Sequence, residues 1–422
     1  MRQSTIEQKE EYKETELGLL PESWRIVNLG DCLDLLRNGI TKQQNIIGKG
    51  YPVTRIETIS KGKINLQKVR HIDDLTKEEI EKYKLIEGDI IFSHINSEPY
   101  LGNSAIYEGE PEILIHGMNL LLFRTDTKLL NSKFLNYLFN YYRQKQIFVG
   151  IASRAVNQSS INQGKIKALK IFLPPRPEQL KITHVLSTIQ TAQGNTDRII
   201  TSLMELKKAM MKHLFTYGPV SLEETKNVKM KETEIGLVPE NWEIKDLKNI
   251  ATLQRGKDLP KQNWKEGPVP IIGSSGIMGY HNEVVCKGPG VITGRSGSIG
   301  KLTYVEDDYW PHNTSLYVKN FHGNNPKFIY YLMHTLDFKK YTTGVSVPTL
   351  NRNFIHMQKM AIPPLQIQKK VVEILSMIDI KINTEETKKN SLNELFKSML
   401  HNLMTAKIRV NKLVIPNEEN GK

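Results

Sequence analysis

Between Pro174 and Gly218 apolar residues recur at heptad spacing: Ile182, Val185, Ile189, Ala192, Ile199, Leu203, Leu206 and Met210. Such a stripe predicts a helix that seeks a second helix. Pro174, Pro175 and Pro177 stop the preceding chain, and Pro177-Glu178 suits a first helical turn, where no N–H is lost and the helix dipole favours a carboxylate. Gly218-Pro219 ends the pattern. The predicted span, Glu178 to Thr216, is roughly 58 Å at 1.5 Å per residue, long for a globular helix.

The pattern returns 189 residues later, behind Pro363-Pro364. Val371, Ile374, Leu375 and Ile378 match Ile182, Val185, Leu186 and Ile189, and Leu392, Leu395, Met399 and Leu403 match Leu203, Leu206, Met210 and Leu214. The stretch Lys381–Lys389 is polar where a seam is apolar. Duplication at this length favours two helices that pack on each other over two unrelated surface helices.

The repeat extends beyond the helices. Lys13-Glu14-Thr15-Glu16-Leu17-Gly18, followed by Pro21-Glu22-Ser23-Trp24, returns at an offset of 218 as Lys231-Glu232-Thr233-Glu234-Ile235-Gly236, followed by Pro239-Glu240-Asn241-Trp242. At that offset Arg37 pairs with Arg255. Lys133-Phe134-Leu135 returns at 194 as Lys327-Phe328-Ile329, which pairs Asn157 with Asn351. The second copy is therefore shorter by 24 residues in its middle and by a further five before the prolines. A kept frame with divergent interiors suits parallel tasks on different targets.

Short apolar or alternating runs, Asp89–Ser93, Leu120–Phe123, Gly290–Thr293 and Ser315–Val318, predict strands, and Ser132–Tyr142 and Pro326–Thr335 predict helices. The fold class is α+β with an internal pseudo-two-fold repeat. The expected layout is a β-rich domain at 1–175 with its opening motif at 13–24, a long helix at 176–217, and a linker at 218–230. A second β-rich domain at 231–363, a second long helix at 364–410 and a tail at 411–422 follow.

A chain of 422 residues exceeds a single core. Its net charge of +13 and pI near 9.3 point to a polyanion, most often nucleic acid. Cys32 and Cys286 stand far apart without metal-ligand spacing, which fits a reducing cytoplasm, the expected location, and equally any compartment that does not need disulfides. The polar N-terminus is no signal peptide, and no apolar run reaches membrane length.

No catalytic motif is complete. Gly294-Arg295-Ser296-Gly297-Ser298 fails the nucleophile elbow, and Gly300-Lys301 lacks the rest of a phosphate loop. The two Pro-Pro pairs lack the leading Asn or Asp and the trailing aromatic of an amino-methyltransferase motif. The histidines, His94 and His116 among them, show no ligand spacing. No metal or cofactor is expected on this chain.

Base edges are read by Arg, Lys, Asn, Gln, Ser and Thr from loops and element ends. In the first copy the candidates are Arg55, Lys68, Arg70, His94, Asn96, Arg154, Asn157 and Gln158. In the second they are Arg255, Lys257, Ser274, Ser275, Arg295, Ser296, Asn351, Arg352 and Asn353. Adjacent glycines let backbone approach a ligand closely.

Two copies of a Glu-Thr-Glu-(Leu/Ile)-Gly-x-x-Pro-Glu-x-Trp opening, a variable body, and Pro-Pro leading through Gln179 and Gln368 into a long helix resemble the specificity subunit of type I restriction–modification systems. The resemblance covers nearly the whole chain. It implies two target recognition domains, each reading one half of a bipartite, asymmetric double-stranded DNA site. It implies that the long helices pack antiparallel, through Ile182, Val185, Ile189, Leu203, Leu206 and Met210 against Val371, Ile374, Ile378, Leu392, Leu395 and Met399. The expected partners are two methyltransferase subunits carrying S-adenosylmethionine, joined in some complexes by motor-nuclease subunits. The chain itself would be non-catalytic. The sequence leaves two alternatives: a coiled-coil scaffold without sequence-specific DNA binding, and a DNA-modifying enzyme.

Overall fold

The computed structural model describes residues 11–60, 62–155, 158–344 and 348–415. The chain forms two compact units. Unit 1 takes residues up to Asn195 and from Lys389 onward; unit 2 is the continuous stretch Thr196–Lys388. The long helices span Arg176–Tyr217 and Leu365–Met404. Each unit therefore holds the first half of one long helix and the second half of the other.

The opening motif is a β-hairpin in both copies. Tyr12–Thr15 pairs with Gly18–Pro21, and Met230–Thr233 with Gly236–Pro239. Gly18 and Gly236 both sit at φ 102°, a left-handed conformation that favours glycine, and the preceding threonine hydroxyls donate to their carbonyls. The chain then buries Trp24 or Trp242 and enters a strand that closes the domain on itself. Arg25–Asn28 pairs with Lys170–Leu173, and Glu243–Asp246 with Lys359–Ile362. The strand before each proline gate is thus bonded to the strand after each opening motif.

Each unit holds a four-stranded antiparallel sheet of identical order. In unit 1 the order is Leu33–Asn38, Leu121–Thr125, Ile90–Phe92, Ser104–Ile106. In unit 2 it is Thr252–Arg255, Ser315–Asn320, Gly290–Gly294, Leu302–Val305. An amphipathic helix, Ser132–Gln144 or Pro326–Met333, covers the sheet with Phe134, Leu135, Leu138 and Phe139, or with Phe328, Ile329 and Leu332.

The repeated glutamines of the proline gates join these helices to the long ones. In unit 1 Asn131 N donates to Gln179 Oε1 at 2.8 Å, while Gln179 Nε2 donates to the carbonyls of Leu129 and Pro174. In unit 2 Asn325 N donates to Gln368 Oε1 at 2.9 Å, while Gln368 Nε2 donates to Asn324 Oδ1 and the Pro363 carbonyl. Both glutamines are buried. Asn131 and Asn325 are themselves the N-caps of the covering helices, so one amide side chain ties a cap to a gate.

Within each unit the half-helices run antiparallel. In unit 1 Glu178 meets Arg409, and Gln193 Nε2 donates to Asn393 Oδ1 at 3.0 Å. In unit 2 Lys207 pairs with Asp379 at 2.6 Å. Ile182, Leu186 and Ile189 join Phe396, Leu400 and Leu403 in one core; Leu214 joins Val371 and Leu375 in the other. Val185, Leu392 and Met399 line the first core, and Met210 and Ile374 the second, as partly buried neighbours; Leu203 and Ile378 are half-buried.

Two of the expected seam positions do not pack. Leu206 and Leu395, which are 189 residues apart, are 47 % and 45 % exposed. A straight helix drifts from a strict seven-residue repeat, and the next positions, Lys207 and Phe396, turn inward instead. The polar stretch Lys381–Lys389 is helical throughout; buried Glu385 is met there by Lys381 at 3.0 Å and Lys388 at 3.6 Å. The second long helix stops short of residue 410, with Ala406 turned to φ 53°.

Candidate nucleic-acid interface

In unit 2 the candidates converge on one residue that the sequence did not single out, Thr314. Its carbonyl accepts from Arg295 N at 2.9 Å and Ser296 N at 3.3 Å. Its hydroxyl accepts from Ser274 N at 3.2 Å and lies 3.1 Å from His312 Nδ1. Lys301 Nζ donates to the Ser275 carbonyl, closing the same loop cluster from the other side. The chain then returns along Thr349–Leu350, whose Leu350 N donates to the Arg295 carbonyl at 2.8 Å. Arg295 is thus held at both its N–H and its carbonyl.

Two glycines permit this convergence. A Cβ on Gly294 would lie 1.9 Å from the Ser298 carbonyl oxygen, and one on Gly256 would lie 2.1 Å from that of His312. The first precedes Arg295 and the second follows Arg255. Each arginine therefore leaves a strand where backbone is pressed against backbone. Burial and the nearby Arg255 both push the Arg295 guanidinium below its ordinary pKa. Among the described residues no carboxylate lies within ion-pair distance of Arg255, Lys257 or Arg295. Asp258, the nearest acid in sequence, accepts from Asn313 Nδ2 instead.

Asn351, Arg352 and Asn353 begin the short helix Arg352–His356, and Asn351 caps it through Asn353 N. Arg352 and Asn353 are exposed beside it.

In unit 1 the three-stranded ribbon Ile95–Asn96, Gln158–Ser160, Ser153–Ala155 brings His94, Asn96, Arg154 and Gln158 together. Arg154 and Gln158 are exposed, and Arg154 Nε lies 3.0 Å from Glu98 Oε1. Asn96 Nδ2 donates to Ser93 Oγ. Asn157 lies outside the described residues. Arg55, Lys68 and Arg70 belong to a different part of the unit. Arg55 pairs with Glu57 at 2.8 Å and donates to Gln44; Arg70 sits on a strand opposite Val53; Lys68 is exposed on a 3-10 turn.

His94 is buried, and its carbonyl accepts from Ile161 N. Desolvation lowers its pKa to about 4, and that of His116 to about 3. His116 Nε2 lies 3.1 Å from the Leu120 carbonyl. Both rings are therefore neutral at pH 7.

The register corrects two pairings drawn from the sequence. Ile161 N bonds the His94 carbonyl as Leu350 N bonds that of Arg295, so Asn162 is the counterpart of Asn351, and it too caps a short helix. The five-residue difference lies before Ser160, not between Asn157 and the prolines. Likewise Asn38, Gly39 and Ile40 correspond to Arg255, Gly256 and Lys257. Ile40 bridges Gly117 as Lys257 bridges His312, and a Cβ on Gly39 would strike the Gly117 carbonyl oxygen. A bulge at Asp34 in unit 1, against one at Lys319 in the partner strand of unit 2, shifts the frame by one residue. One residue reverses the face of a strand. Arg37 accordingly stacks 5.2 Å from the Tyr83 ring centroid, whereas Arg255 is exposed.

Among the described residues no cluster of His, Cys, Asp and Glu could hold a metal, and no helix is long and apolar enough to cross a membrane. The architecture is a duplicated α+β frame in two units, with two long helices. The sequence matches the type I restriction modification DNA specificity domain twice, over residues 21–204 and 239–394, and the chain belongs to that family of type I restriction–modification specificity subunits. It is 38 % identical over 419 residues to the putative type I restriction enzyme MjaX specificity subunit of Methanocaldococcus jannaschii, covering 95 % of this chain and 97 % of that one. The MjaVIII specificity subunit of the same organism is 24 % identical over 437 residues, covering 96 % and 97 %. The crystal structure of a type I restriction–modification S subunit from M. genitalium shares the fold, with a TM-score of 0.61 at 17 % identity over 90 % of this chain and 96 % of that one.

Proposed function

We propose that this chain is the non-catalytic, sequence-reading subunit of a type I restriction–modification complex, and that each unit reads one half of a bipartite, asymmetric DNA site. One observation carries the reading. At the same place in the two sheets, where a strand end passes its carbonyl to the returning chain, unit 1 puts a neutral His94 and unit 2 a charged Arg295. The frames agree to the hydrogen bond while the side chains at that position differ, which suits two half-sites of different sequence.

The long helices set the unread spacer. The first, of 42 residues, is about 63 Å long and bounds the ruler at about 18 base pairs of 3.4 Å. Two methyltransferase subunits dock on the helices and carry S-adenosylmethionine; motor-nuclease subunits join the complex through them. The matched exposure of Leu206 and Leu395 supports two copies of one partner, because an apolar residue repeated on a pseudo-two-fold frame offers the same contact twice.

The test is selection of bound duplexes from a randomised pool by the full chain, alone or with methyltransferase subunits. Two short sequences at a fixed separation are expected. Equal recovery of all duplexes at moderate salt would leave only charge-driven binding and refute the reading.

A further inference from the structure

Arg295 combines three properties that an ordinary surface arginine lacks. Its backbone is fixed on both sides, by Thr314 and Leu350. It is half-buried, feels the charge of a second guanidinium, Arg255, and has no carboxylate in ion-pair distance among the described residues. It follows Gly294, where no side chain could be accommodated without moving the Ser298 and Ser274 carbonyls. A half-buried cation that feels the charge of an exposed neighbouring cation is stabilised by hydrogen-bond acceptors. The site therefore suits a group that offers hydrogen-bond acceptors.

A guanidinium presents parallel N–H donors and is best satisfied by two acceptors side by side. In the major groove only guanine offers that pair, O6 with N7; adenine pairs one acceptor with a donor, thymine offers a single acceptor beside a methyl group, and cytosine a donor. A phosphate also offers two acceptors, but it is held well by mobile exposed cations, and Lys257 and Arg255 on the same rim are exposed. The immobilised residue is suited to the base and the exposed ones to the backbone.

Resting on the reading that unit 2 contacts one half-site, we propose that Arg295 recognises a guanine there, with Arg255 and Lys257 on the adjoining phosphates. The counterpart in unit 1, neutral His94, has one donor and one acceptor and cannot make the same contact.

The test compares the full-length wild-type chain with Arg295→Ala and Arg295→Lys in selection from randomised duplexes, with affinity measured against salt. Wild type is expected to require a G·C pair at one position of one half-site. Arg295→Ala should lower the preference for that pair about 10-fold or more and leave every other position unchanged. The preserved remaining positions of the same half-site report that unit 2 of the variant is folded. Arg295→Lys should keep the salt dependence and lose most of that preference. The proposal is overturned if Arg295→Ala weakens all duplexes alike with a salt slope lower by about one, as for a phosphate contact. It is also overturned if Lys restores binding fully, or if the altered position is not G·C. A wild-type chain with no sequence preference overturns the underlying reading as well.

Discussion

Glu178 grips Arg409 with both carboxylate oxygens, Oε1 to Nε at 2.8 Å and Oε2 to Nη2 at 3.1 Å, and Oε2 also accepts from Trp24 Nε1 at 2.9 Å. Both charged side chains are nearly buried. At the 189-residue offset unit 2 carries Ile367 and Val220. The ion pair of unit 1 is thus matched in sequence by two apolar residues in unit 2. Glu178→Ala leaves Arg409 buried without this partner and should destabilise unit 1 by about 3–5 kcal/mol. Replacing the pair together, Glu178→Ile with Arg409→Val, should recover most of that loss. Denaturant titration of the two variants decides; equal destabilisation by both would show that the charges themselves are required.

The glutamine clamps should act unit by unit. Gln179→Ala strands the Asn131 N–H and two carbonyls, and should cost about 2–3 kcal/mol in unit 1. Gln368→Ala should do the same in unit 2. Hydrogen exchange resolved along the sequence should show the loss confined to residues of the matching unit.

The buried histidines of unit 1 predict an acid-sensitive half. The folded pKa values of His94 and His116, about 4 and about 3, lie below the ordinary 6.5. As pH falls the unfolded chain takes up these protons first. The stability from keeping the rings neutral is complete above about 6.5 and declines from there towards pH 4. Between pH 7 and pH 5 the melting temperature of unit 1 should fall by roughly 10 °C, and His116→Gln should flatten that slope. A slope unchanged by the substitution would assign the effect to other groups.

Gly194 lies inside the first long helix, and a Cβ there would meet nothing within 4 Å. Gly194→Ala should therefore stabilise the helix by about 1 kcal/mol and leave the selected DNA unchanged. Inserting one heptad after Gly194 should alter the preferred separation between the half-sites and preserve their sequences. Altered half-sites would remove the helix from the role of ruler.

The sequence revealed the frame because frame residues answer to local rules. Gly18 and Gly236 need a left-handed turn, prolines open the long helices, and Ile182 and Val371 repeat with the helical period. Gln179 and Gln368 were visible as a motif, though their partners were not, since Asn131 and Asn325 lie more than forty residues away. The interface was only half legible. Ser274, Ser296 and Arg295 stood out by residue type, but Thr314 did not, because its role is set by which loops reach it. The mistaken match of Arg37 with Arg255 has a similar cause. A single bulge reverses a strand's faces and leaves no mark in a letter-by-letter alignment.

Unit 2 is one unbroken stretch of chain, whereas unit 1 is assembled from two stretches with unit 2 between them. On a ribosome, then, the lobe that comes second in the gene is the first to have all its parts. Unit 1 waits with Ile182, Leu186 and Ile189 uncovered until Phe396, Leu400 and Leu403 have been made. Synthesis order and completion order run in opposite directions, and in the interval between them an apolar stripe of unit 1 stays uncovered.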